Sequence, residues 1–113
     1  MRIMIIRPDG TSEYRGVRCR SGYIDDIHRV VDAILETRFI ERVNVFWSFQ
    51  HEPARYLDSF VDEHGHEKQL PLNRLATMAY QNNVRVHDPA RYEPEKMPVI
   101  VGTMVLFEER VWI

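Results

Sequence analysis

FVDEHGHEKQLPLNRLA, residues 60–76, gathers the residue types that do chemistry. His64 and His66 lie one residue apart, with Asp62, Glu63 and Glu67 around them. On an extended strand Asp62, His64 and His66 would share one face, because side chains alternate with a period of two. Zinc takes three or four such ligands in a closed shell, and His51 or His87 would have to complete the set. A small metal-dependent enzyme centred on Asp62, His64 and His66 is one reading. Gly65 argues against it. A glycine between polar residues, after a strand and before a helix, favours a left-handed turn, which breaks the alignment. The stretch then reads as a solvated turn.

Three other constellations carry chemical meaning. Asp58 and Asp62 lie four apart on an expected strand, hence on one face with Phe60 between them, as two carboxylates sharing acid–base work would. The alternative is the polar outer face of a sheet. Cys19 stands between Arg18 and Arg20 just before a helix, where positive charge and the helix dipole lower a thiol pKa. No His–Asn or His–Asp companion pattern goes with it, and a free cysteine is commonly a small buried hydrophobe. Arg15, Arg18 and Arg20 suit phosphate, yet on a strand Arg15 faces away from the other two, and Asp25 and Asp26 already occupy the helix start. No catalytic residue is assigned, and no cofactor motif is read.

The elements that must position these groups follow from periodicity. RIMIIR, residues 2–7, is a buried strand bounded by Pro8-Asp9-Gly10, and residues 12–19 return as its hairpin partner, with Gly16 as a bulge. Ile24, Ile27, Val30, Val31, Ile34 and Leu35 repeat at helical spacing, which predicts a helix over 22–37 with Ser21 as N-cap. Val43, Val45, Trp47 and Phe49 alternate, which predicts a strand over 43–49. Residues 55–62 make a further strand. A shorter helix is expected from Pro71 or Arg74 to Gln81, closed by Asn82-Asn83. Asn73 either caps it or contributes, with Arg74, to a ligand surface. Residues 87–98, with three prolines, read as a long connection that holds Tyr92 as an interface anchor. PVIVGTMVLF, residues 98–107, is apolar on both faces and therefore a central strand. Val111-Trp112-Ile113 is a second interface candidate.

The chain has 113 residues, 44% of them hydrophobic, and a formal charge of −2. That is one domain, residues 1–113, able to build a core without staples. The charge is too weak for a DNA mimic and offers no general attraction to nucleic acid. The single cysteine precludes an internal disulfide framework and fits a reducing compartment. With no signal-peptide pattern and no apolar stretch long enough for a membrane, the chain reads as cytoplasmic.

DEHGHEKQLPLNR, residues 62–74, resembles the core of a family of small phage and mobile-element proteins, domain of unknown function 3846. The matches are Asp62, Glu63, Gly65, Leu70, Pro71 and Asn73, then IVGTMVLF near the end; RPDG and the helix after it also fit. The loop over 87–98 is longer than the family's, and the tail EERVWI is extra. The resemblance implies a phage or prophage accessory protein and carries no activity.

Together these readings predict an α+β fold: a mixed or antiparallel sheet of about five strands, one main amphipathic helix and a short second helix. The function expected is non-enzymatic binding of a host protein or small ligand, in the context of interference with host physiology or defence. The expected contact residues are Asp62, Glu63, Asn73, Arg74 and Tyr92. The rivals are the metal enzyme and a homodimer that binds nucleic acid through its arginine edge.

Overall fold

The structure is a computed structural model that describes residues 1–112; Ile113, the end of the Val-Trp-Ile candidate, lies outside them. Along the chain come β1 (Arg2–Ile6), β2 (Ser12–Gly16), α1 (Ile24–Leu35), β3 (Ile40–Trp47), β4 (Arg55–Asp62), α2 (Arg74–His87) and β5 (Met104–Phe107). The strands form one five-stranded sheet in the order β2-β1-β5-β4-β3. Every pairing is antiparallel. The fold is α+β, with β5 in the middle of the sheet.

Alternation along the strands builds two apolar faces. Ile3, Ile5, Phe60, Val105 and Phe107 meet Ile27, Val30 and Val31 of α1. Met4, Ile6, Val43, Val45, Leu57, Val61, Met104 and Leu106 meet Ala76 and Ala79 of α2. Each fully buried aliphatic or aromatic side chain contributes roughly 1.5–3 kcal/mol. A helix on either face explains why β1 and β5 read as apolar runs without alternation.

Several expected boundaries move. Ser21 does not cap α1: the helix starts at Ile24 after Tyr23, whose side chain makes no cap bond, and the Ser21 hydroxyl donates to the Arg110 carbonyl. The acceptor at this helix start is Asp26, which takes the Arg20 backbone N–H at 2.9 Å and the Arg20 Nε at 2.8 Å. At the other end Glu36 adopts a left-handed conformation (φ 56°) and stops α1 short of residue 37. Gly16 makes no bulge; it ends β2 in continuous register opposite Arg2. Phe49 is fully buried but lies beyond β3.

The second helix is the longer one, 14 residues against 12. Asn82 and Asn83 are helical, because buried Val84 anchors the next turn to the core. Pro89 then opens a 3-10 turn. The connection over 87–98 is not structureless, since 3-10 turns at Pro89–Arg91 and Pro94–Lys96 shape it. The predicted strand over 98–107 is regular only from Met104, because Gly102 takes φ 76° and breaks the extended run before it.

Candidate functional site

The junction between β4 and α2 is built around Asn73, which is fully buried. Its Oδ1 accepts the Ala76 N–H at 3.1 Å, which caps α2. Its Nδ2 donates to the carbonyls of Ile6, at 2.9 Å, and of Gly102, at 2.8 Å. Its backbone N–H donates to Ile100, and the Gly102 N–H donates to Pro71. Leu72 bridges Val101 between these bonds. One amide thus joins α2, β1 and the segment that leads into β5. Asn73 presents nothing to a partner; it holds in place what lies around it.

The turn over 62–69 is fastened to the same segment. Gly65 does not take the expected left-handed conformation; Gln69 does, with φ 56°. Gly65 matters for space: a Cβ there would sit 3.0 Å from Val101 Cγ2 and 3.3 Å from the Asp62 carbonyl. A Cβ on Gly102 would approach Leu70 Cδ1 to 2.8 Å. The Gly, Leu-Pro-x-Asn and Ile-Val-Gly stretches are therefore three sides of one packed clasp.

Asp62, His64 and His66 do not converge. The Asp62 carboxylate accepts the His64 backbone N–H at 2.8 Å and Lys68 Nζ at 2.7 Å. Burial pushes this carboxyl up, but the Lys68 ammonium and the His64 N–H outweigh it and hold it below the usual carboxylate range. His64 packs edge-on to Phe39 at 5.4 Å, with Nδ1 3.4 Å from Glu67. His66 Nε2 lies 3.1 Å from the Val99 carbonyl. Among the described residues no three His, Cys, Asp or Glu side chains gather closely enough to hold a metal ion. Metal analysis of untagged protein should find no stoichiometric zinc or manganese; a full equivalent that disappears in His64→Ala would restore the metal-enzyme reading.

The other constellations also separate. Asp58 and Asp62 are both buried on β4, but Asp58 Oδ2 accepts the N–H groups of Val111 and Trp112, each at 3.0 Å. The two carboxylates thus hold two different segments and share no reacting position. Cys19 is buried, and burial first, then the Asp26 charge, push its thiol up, the reverse of nucleophile activation. Arg20 pairs with Asp26 at 2.8 Å and Arg15 with Glu13 at 3.1 Å. Asp26 also lies near Arg29, and Glu13 also pairs with Arg7. The Arg18 side chain makes no ion pair among the described residues, so two of the three expected arginines are already engaged.

What the fold does assemble is a groove of about 240 Å³. Val43, Val61, Tyr80 and Val101 give it apolar walls, and Glu41, Glu63 and His66 stand around them. The His66–Val99 contact joins the turn to the end of the proline-bearing loop. Asp62 and Glu63 line this groove. Arg74 is exposed at the start of α2, Tyr92 is half-buried behind the first 3-10 turn, and neither lines it. Glu41 and Tyr80 escaped the reading of the sequence, since they belong to a strand and a helix with no local signature. Val99 reads in sequence as part of a central strand, whereas it lies before β5. No family model, curated protein or solved structure matches the chain.

Proposed function

We propose that this chain is a non-enzymatic binding protein that takes a segment of a partner protein, carrying a basic residue beside an apolar one, in the groove between the turn and the loop end. The observation that carries this reading is the pairing of apolar walls with two carboxylates. Glu41 and Glu63 make no ion pair among the described residues, and Val99 beside them is 40% exposed. Glu41 and Glu63 are exposed in the free chain, so an arginine fork or lysine ammonium gains from them when the bound segment covers the pair from water. The apolar walls reward an adjacent hydrophobic side chain that does so. The turn and the loop end are tied together and to the clasp, so the groove is pre-organised and little ordering opposes binding.

The resemblance to small phage proteins supplies the context: an accessory protein of a phage or prophage acting on a host protein in the host cytoplasm. Capture from host extract should be compared between the wild type, the Glu41→Lys/Glu63→Lys double variant, and Glu36→Lys beyond α1 on the other side of the sheet. A captured protein should then be purified and titrated. Its affinity should fall about 30-fold or more in the double variant, because like charges face each other across the interface, and stay unchanged in Glu36→Lys. A partner held equally by all three proteins removes this reading; binding of only a small molecule in the groove replaces the protein segment with a ligand.

A further inference from the structure

A second cleft, of about 370 Å³, is lined by Asn44, Tyr56, Leu57, Asp58, Asn83, His87 and Arg110 and shares no lining residue with the groove. We propose that it binds a small ligand made of a flat heteroaromatic ring and an anionic group, of the size and chemistry of a nucleoside monophosphate.

Four parts of the fold bring these groups together: Asn44 comes from β3, Tyr56 and Asp58 from β4, Asn83 and His87 from the last turns of α2, and Arg110 from the segment after β5. The cleft volume lies in the range of small-molecule sites. One wall is aromatic. Tyr56 is 52% exposed; Phe46 backs it at 5.0 Å and His87 meets it edge-on at 5.7 Å. Flat rings pack on such a wall whatever their substitution pattern.

The polar groups are the second strand of the argument. The side chains of Asn44, Asn83 and Arg110 make no hydrogen bond or ion pair among the described residues. Arg2, Arg20 and Arg55 are tied to carboxylates, to Glu108, Asp26 and Glu52. Arg110, like Arg18, Arg38, Arg42, Arg74 and Arg85, has no carboxylate partner among the described residues, and it is the one of these that lines the cleft. A side-chain amide offers both a donor and an acceptor, which the edge of a heterocyclic base can pair with. The guanidinium offers a fork of donors suited to phosphate. Asp58 is the one carboxylate lining the cleft, and its Oδ2 is engaged by the tail amides. The position of Arg110 is also set beforehand: Ser21 donates to its carbonyl on one side, and Asp58 holds the next two residues on the other.

The test titrates the whole chain with the four ribonucleoside monophosphates, with adenosine and with inorganic phosphate, followed by calorimetry and amide chemical shifts. At least one monophosphate should bind saturably and move the signals of Asn44, Asn83, His87 and Arg110. Arg110→Ala should weaken that binding about 10-fold or more, as loss of a charge-assisted bond does. Removing the phosphate from the best ligand should cost a similar factor, and phosphate alone should leave the cleft signals in place. The Glu41→Lys/Glu63→Lys variant should bind the monophosphate normally, so failure of the groove reading and failure of this one are distinguishable. The proposal is overturned if no monophosphate moves the cleft signals at millimolar concentration, if Arg110→Ala binds equally well while melting like the wild type, or if the nucleoside binds as tightly as its phosphate.

Discussion

Asn73→Ala should lower the stability of the fold by about 3–5 kcal/mol, measured by reversible urea or thermal unfolding. The magnitude has two sources. Loss of the cap on α2 costs about 1 kcal/mol. Two carbonyls then lose their donor, those of Ile6 and Gly102, and a buried group left unsatisfied costs about 1–3 kcal/mol. Against a total of about 5–15 kcal/mol for an ordinary domain, that is a large share. Asn73→Asp separates the two sources. Aspartate is as good a cap as asparagine, but it cannot donate and would set a charge against two carbonyl oxygens. If capping dominated, Asn73→Asp would be neutral. The geometry instead requires it to be at least as damaging as alanine. A stable Asn73→Asp protein would mean that the amide does not join the three segments.

Asp58→Ala should cost about 2–4 kcal/mol and release the tail. Its carboxylate holds two consecutive N–H groups, one of them on fully buried Val111. Trp112 packs against Phe60 at 6.3 Å, with the Arg42 guanidinium 5.6 Å from its ring. In a Trp47→Phe background Trp112 is the sole tryptophan, since the chain holds two, and selective excitation of the indole reads it alone. Its fluorescence should shift to the red in Asp58→Ala at temperatures where the far-ultraviolet circular dichroism is unchanged. Unaltered emission would show that the tail stays docked by apolar contact alone and that the carboxylate is dispensable. Release of the tail would also displace Arg110, so the same variant should lose nucleoside monophosphate binding.

The parts legible in the sequence are those set by local periodicity. The stripe of Ile27, Val30 and Val31 buries itself on the sheet as its spacing requires, and Val43 and Val45 share a buried face. The centrality of the last strand followed from its two apolar faces. What stayed hidden depends on partners far along the chain. Asn73 bonds residues 67 and 29 positions away, and no window around it shows either. Gly65 stood out as a glycine, yet its role is close approach to Val101, which only the folded chain brings near. The asparagines at 82 and 83 carry a stop signal that buried Val84 overrides. The turn and the proline-bearing loop were visible as candidate surfaces, whereas the groove between them needs Glu41 and Tyr80, which come from a strand and a helix with ordinary local patterns.

The middle position of β5 bears on how such a chain is made. A ribosome delivers the β1–β2 hairpin first and the β3–β4 hairpin later, and each can pair as it emerges. Neither can join the other, because the strand that lies between them is the last of the five in chain order. Until it arrives, β1 and β4 each carry an unpaired inner edge lined with apolar side chains, the kind of edge that invites pairing with another chain. Closing the sheet is then a single late insertion that joins both halves at once. Nascent chains that stall before residue 104 are for that reason the form of this protein most exposed to aggregation and most in need of a chaperone.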